Sequence, residues 1–174
     1  MNYRRVFIPG GTYFFTVTLK NRRSDYLVKY INELREAFAY VKNEQPFEII
    51  AIVILPEHLH CLLKLPDGDD DYAKRWQRIK NRFTRSLKNA GVGLNKNNRG
   101  EYDLWQSRYW EHAVRDERDL LRHIDYIHFN PVKHGWVDAV INWPFSSFHR
   151  YVKEGELESN WGLEVSNPDF NYGE

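Results

Sequence analysis

Two apolar runs separated by only two residues constrain this chain most. Phe47 to Leu55 is nearly continuous and rich in Ile and Val, and His58 to Leu65 follows directly after Pro56-Glu57. The first run suits a strand buried on both faces, and a second strand this near in sequence implies an antiparallel hairpin. Strand side chains alternate, so His58 and His60 project to one face while Leu59 and Cys61 enter the opposite layer.

The flanking segments extend this hairpin into a fold. Pro9-Gly10-Gly11 is a turn, and Thr12 to Leu19, dominated by Tyr, Phe, Thr and Val, is a strand. Val28 to Asn43 carries Tyr30, Ile31, Leu34, Ala37, Phe38 and Val41 at helical spacing. Ala73 to Asn89 is a second helix with Trp76, Ile79, Phe83 and Leu87 on one side, and a short strand is expected at Glu111 to Val114. Arg118 to Asn130 reads as a helix that Pro131 stops. Strand, helix, strand, strand, helix, strand is the split β-α-β pattern. The expected class is α+β, a ferredoxin-like antiparallel sheet packed by helices on one face, with a C-terminal helical extension carrying Tyr126. The first and third strands take the sheet centre, and the face opposite the helices is left for a ligand.

A single cysteine, Cys61, excludes an internal disulfide framework and suits a cytoplasmic protein. No secretory signal follows Met1, and the longest apolar stretch is far too short to span a bilayer, so no membrane partner is expected. The 174 residues carry 25 basic and 24 acidic side chains, a balance that hides an asymmetry. Six acids and no Lys or Arg lie in 154–174, so residues 1–153 hold 25 basic against 18 acidic side chains. We divide the chain there into one domain, 1–153, and an acidic tail, 154–174, able to compete with phosphates. A basic body suits a polyanion.

Three features carry chemistry. Two imidazoles side by side on a rigid strand, His58 and His60, can hold a divalent metal; the same spacing also fits two half-exposed histidines making ordinary hydrogen bonds. Tyr126 and Asn130 stand four residues apart and so share a helix face, where a phenol and an amide carbonyl can be presented to one point; a packed aromatic and a helix-ending Asn fit equally. From Tyr72 to Gly100 there are nine basic residues and no acid. That one-signed stretch points to a phosphate backbone, held by Lys74, Arg75, Arg78, Lys80, Arg82, Arg85 and Lys88. Trp76 and Trp105 are candidates to stack on unpaired bases, although Trp76 also fits the core side of its helix.

Four segments together resemble a known family. Pro56-Glu57-His58-Leu59-His60 follows an apolar strand, and Lys80-Asn81-Arg82-Phe83-Thr84 lies on the basic helix. Leu104-Trp105-Gln106 precedes Tyr109-Trp110-Glu111-His112, and Asp125-Tyr126-Ile127-His128-Phe129-Asn130-Pro131-Val132-Lys133-His134-Gly135 comes last. In this order they resemble the single-tyrosine transposases of insertion sequences, and more narrowly the REP-associated tyrosine transposases. The resemblance implies a metal-dependent single-strand DNA endonuclease and strand transferase acting at hairpin DNA. It implies that His58, His60 and Asn130 hold Mg²⁺ or Mn²⁺ and that Tyr126 forms a 5′-phosphotyrosine. It leaves open a monomer acting in cis or a homodimer that swaps its tyrosine helix. The alternatives are a non-catalytic single-stranded nucleic-acid-binding module of ferredoxin-like fold, and a metal hydrolase that uses water in place of tyrosine.

Overall fold

A computed structural model describes residues 5–163. Its four strands are β1 (Thr12–Thr18), β2 (Glu48–Ile54), β3 (His58–Lys64) and β4 (Trp110–Ala113). They form one sheet in the order β2-β3-β1-β4, every pair antiparallel. The first and third strands are central, as the ferredoxin-like order requires. Helix α2 (Ile31–Glu44), preceded by the short α1 (Tyr26–Lys29), and helix α3 (Tyr72–Asn89) occupy one face. Helix α4 (Glu117–Lys133) lies across the other, and α5 (Phe148–Lys153) follows near the β2 edge.

Alternation along β1 and β3 builds both layers. Tyr13, Phe15, Val17, Leu59, Cys61 and Leu63 pack against Leu34, Ala37 and Val41 of α2 and against Trp76, Ile79 and Phe83 of α3. Phe14 and Leu62, of opposite parity, meet Ile124, Tyr126 and Ile127 of α4. Thr16 and His60 are paired across the two central strands and share the α4 face. The face read as available for a ligand is thus roofed over by α4.

Two readings, of the 47–55 run and of Pro131, differ from what the structure shows. β2 is an edge strand and only partly covered, with Ile49, Ile50 and Ile52 half-buried. Its outer edge is taken by residues 145–147, where Ile54 N–H donates to the Phe145 carbonyl and Ser147 N–H to that of Ile52. Pro131 does not stop α4, which runs to Lys133. A proline costs a helix the bond its missing N–H would make, but here it falls in the last turn. Three later amides close that turn: His134 on Asn130, Gly135 on Val132 and Trp136 on Pro131. Residues past the expected boundary at 153 still pack, since Leu157 and Trp161 lie against the cluster of Phe129, Val140 and Phe148. The remainder of the acidic tail, 164–174, lies outside the described residues.

His128 ties α4 to the sheet edge. Its Nε2 lies 2.9 Å from Ser147 Oγ, and that oxygen accepts the Ile52 amide at 2.9 Å. Burial, with the nearby Arg150 and His149 charges, pushes His128 down to about 3. The folded imidazole therefore stays neutral where the unfolded one, near 6.5, takes a proton. A depressed folded pKa makes stability fall as pH drops from about 6.5 towards 3, by about 1.4 kcal/mol per pH unit for one proton. We expect the urea midpoint of the unmodified chain to fall more steeply from pH 6.5 to 4 than that of His128→Gln, with the two slopes alike above pH 7.

Candidate active site

β3 delivers His58 and His60 to the α4 side of the sheet centre, 2% and 0% exposed, with ring centroids 4.9 Å apart. Each is oriented through Nδ1. His60 Nδ1 is 2.9 Å from Thr16 Oγ1 on the neighbouring strand, and His58 Nδ1 is 2.9 Å from a Glu57 carboxylate oxygen. Burial pushes the Glu57 carboxyl up, but the His58 hydrogen bond and the charges of His58 and Arg22 outweigh it and hold it below the usual range. His58 Nε2 is buried with no hydrogen-bond partner among the described residues.

α4 brings the second half of the site. Asp116 caps its N-terminus through the Asp119 amide at 2.8 Å. Ile124 and Ile127 seat the helix on the sheet. Tyr126 is 1% exposed, its ring 5.1 Å from that of His60 and edge-on to Phe14 at 5.8 Å. Asn130, one turn on, is wholly buried, and His134 lies 5.4 Å ring to ring from His58. Lys133 Nζ stands 4.9 Å from the centre of the Tyr126 ring. A single chain therefore gathers the paired histidines, the tyrosine, Lys133, which the sequence offers as a group able to lower the Tyr126 pKa, and a third histidine, His134, that the spacing alone did not single out.

His134 was legible in principle. It falls four residues after Asn130 and eight after Tyr126, on the same helical stripe, but only if α4 is carried through Pro131. Thr16 and Glu57 depend on strand register and a local rotamer, which no residue pattern reveals.

The basic helix α3 sits on the far face of the sheet from the histidines, and it divides. Lys74, Arg82, Arg85 and Lys88 are exposed or half-exposed. Arg78 is half-buried and engages Glu44 and Gln45. Two residues expected to meet nucleic acid do not face solvent. Arg75 is 1% exposed, with its guanidinium spent on Asp69 and on the carbonyls of Gln45, Pro46 and Asp71. Trp76, also 1% exposed, packs edge-on to Phe15 and Phe38. Both belong to the packing of α3, because the stripe facing α2 and the sheet includes their positions.

Trp105 lies elsewhere. Its Nε1 donates to Thr84 Oγ1 at 3.2 Å, and Lys80 Nζ stands 5.8 Å from its ring. Burial pushes Lys80 down to about 8. Trp105, Lys80, Arg85, Lys88, Tyr102 and Gln106 line a cleft of about 540 Å³. Gln106 N–H donates to the Thr18 carbonyl, and Thr18 is paired with His58, so the cleft adjoins the histidine end of the sheet. A larger cavity, about 710 Å³, lies instead at the β2 edge between α2 and α5.

A family model described as transposase IS200 like matches residues 10–130. The chain belongs to the IS200-like transposase family. A REP-associated tyrosine transposase of Escherichia coli K12 is 49% identical over 99% of this chain and 96% of its own. A Haemophilus influenzae protein given the same name provisionally is also 49% identical, over 97% of this chain and 95% of its own. A solved REP-associated tyrosine transposase, bound to a REP hairpin, superposes with a TM-score of 0.87 at 48% identity, covering all of this chain and 97% of the other. The transposase is thus a DNA-cutting and rejoining enzyme of the REP-associated tyrosine branch, which sets aside the non-catalytic module and the water-using hydrolase. None of its described helices is long and apolar enough to cross a membrane.

The division of α3 can be measured. Arg75→Ala leaves Asp69 and three carbonyls without their donor and is expected to lower unfolding free energy by about 2–4 kcal/mol. Affinity of the folded variant for a single-stranded oligonucleotide, read by anisotropy, should stay within about twofold of the unmodified protein. A large loss of affinity with unchanged stability would place Arg75 at the nucleic acid.

Proposed function

We propose that this transposase cuts and rejoins single-stranded DNA beside a hairpin, with Tyr126 as nucleophile and a divalent cation held by His58, His60 and Asn130. The observation that carries the proposal is the 5.1 Å approach of the Tyr126 ring to His60 within one chain. A cation fits the residues present. With both Nδ1 atoms engaged by Thr16 and Glu57, Nε2 is the nitrogen each histidine offers, and outer partners of this kind fix the tautomer of ligating histidines. Two imidazoles and one amide oxygen are softer than Mg²⁺ prefers, which favours Mn²⁺ in affinity. When bound, the cation supplies charge that polarises a non-bridging oxygen of the scissile phosphate.

The protein's own groups do the rest. The Tyr126 hydroxyl loses its proton and its oxygen attacks phosphorus. A bond from Tyr126 Oη to phosphorus forms as the bond to the 3′ oxygen breaks, leaving a free 3′-hydroxyl and a 5′-phosphotyrosine. Lys133 sets a positive charge beside the ring from which that proton departs. Attack on the phosphotyrosine by a 3′-hydroxyl reverses the step and restores a phosphodiester, so rejoining needs no nucleotide cofactor. One tyrosine permits one covalent end per site. The burial of Tyr126 between Phe14 and His60 favours a monomer acting in cis over a helix-swapped dimer.

The solved relative holds a REP hairpin, and a hairpin with an unpaired flank is the substrate we propose for this chain. The outward-facing cations Lys74, Arg82, Arg85 and Lys88, with Arg78 and Lys80, would hold backbone phosphates, and Trp105 would stack on an unpaired base. The cleft between them opens towards the histidine end of the sheet.

A hairpin oligonucleotide that traps the cleaved end should yield a denaturant-resistant adduct whose peptide, by mass spectrometry, carries the nucleotide on Tyr126. Tyr126→Phe should bind that oligonucleotide normally and give no adduct; an adduct from this variant would assign the nucleophile elsewhere. His58→Ala with His60→Ala should lower Mn²⁺-supported cleavage at least about a hundredfold, and undiminished cutting would remove the cation from this pair.

A further inference from the structure

A second group of ligand-type side chains lies where β4 turns into α4. His112, on β4, is paired with Phe14 of β1 and projects to the same face of the sheet. Asp119 follows in the first turn of α4, and His123 one turn later. His112 Nε2 is 2.8 Å from one Asp119 carboxylate oxygen, and His123 Nδ1 is 3.4 Å from the other. The imidazoles stack at 4.9 Å with 21° between their planes. One ligand atom from each of the three residues lies within 4.8 Å of the other two. Asp119 and His123 are buried, and the His112 side chain is one-quarter exposed, so the group opens to solvent on one side.

We propose that His112, Asp119 and His123 form a second divalent-cation site, separate from His58 and His60 and suited to a zinc-type ion. Two imidazoles and one carboxylate are a borderline donor set, harder than thiolates and softer than an all-oxygen cage. Around an ion with bonds of roughly 2.0–2.2 Å in tetrahedral array, donor atoms stand roughly 3.3 Å apart. The 2.8 and 3.4 Å separations, each to a different Asp119 oxygen, lie near that spacing. The three donor atoms, within 4.8 Å of one another, would draw together around the ion. Three protein ligands leave a fourth position, on the side where His112 reaches solvent.

Competing bonds define what binding exchanges. His123 Nδ1 also meets the Asp119 carbonyl at 2.7 Å, and Asp119 accepts the Arg115 amide at 3.0 Å and its Nε at 3.4 Å. Without an ion these contacts form a hydrogen-bonded latch. With one, His123 trades the carbonyl for the cation, while the Arg115 contacts stay as outer support for the carboxylate.

The location gives the site a consequence. An ion there would join β4 to the first two turns of α4, ending three residues before Tyr126. His123 also packs on Phe14 at 4.8 Å, and Phe14 contacts both His60 and Tyr126. Occupancy would stiffen the seat of the tyrosine helix without touching the DNA.

The test uses the full chain and Co²⁺ or Zn²⁺ alone. His58→Ala/His60→Ala, which removes the first pair whatever its role, should bind one equivalent of Co²⁺ with visible absorption of a nitrogen- and oxygen-ligated ion. Adding His112→Gln, at a partly exposed position that can still donate to Asp119, should weaken that binding about tenfold or more. Zn²⁺ should raise the unfolding midpoint of the double variant and not that of the triple variant. Should the double variant fold poorly, His112→Gln in the unmodified chain must lower the bound stoichiometry by one. No equivalent in the double variant, or binding indifferent to His112→Gln in either background, overturns the site and leaves a hydrogen-bonded latch only.

Discussion

The hydrogen bond between Thr16 and His60 joins the two central strands on the face that α4 covers. It depends on register. A slip of one residue between β1 and β3 would turn both histidines into the aliphatic layer beneath α2 and α3 and bring Leu59 and Cys61 up in their place. Phe14, Thr16, His60 and Leu62 hold the correct parity only because Tyr13, Phe15, Leu59, Cys61 and Leu63 fill the opposite layer. The core that stabilises the sheet is therefore the device that aims the imidazoles.

The sheet also separates two tasks. One face carries α2 and α3, where Arg75 and Trp76 lock the basic helix in place and Lys74, Arg82, Arg85 and Lys88 are exposed. The other carries the buried histidines beneath Tyr126. The Trp105–Gln106 segment bridges them at the sheet edge, where Gln106 bonds to Thr18 on one side and to Lys80 on the other. A strand held along the exposed side of α3 would reach the histidines by passing this bridge. Exposed charge thus stays in solvent, while the tyrosine and imidazoles lie in a drier layer, where the proposed chemistry would feel electrostatic effects more strongly.

Strand and helix periodicity carried the sheet order, the pairing of His58 with His60 on a central strand, and the Tyr126–Asn130 face of α4. Periodicity fails where tertiary contacts overrule local rules. Pro131 reads as a stop, yet three later amides satisfy the last turn and carry the stripe on to His134. The apolar run at Phe47 to Leu55 reads as doubly buried, but β2 is an edge strand completed by residues 145–147. One-signed charge points to a polyanion without saying which members of the stretch face outward. Arg75 is buried because Asp69 and two carbonyls beyond the end of α2 converge on it, a contact among segments far apart in sequence. The His112–Asp119–His123 group needs the β4–α4 corner before its members meet, so their spacing alone was silent.

In the proposed chemistry Tyr126 is served by the histidine pair of its own chain, whose His60 ring lies 5.1 Å from the Tyr126 ring. Mixing Tyr126→Phe protein with His58→Ala/His60→Ala protein, and following cleavage of a hairpin substrate, tests it most directly. The groups meet in cis, so the mixture should cut no better than either variant alone. Recovery of cleavage on mixing, in proportion to mixed dimers, would show that the tyrosine of one chain serves the histidines of another and would contradict a site completed within one chain.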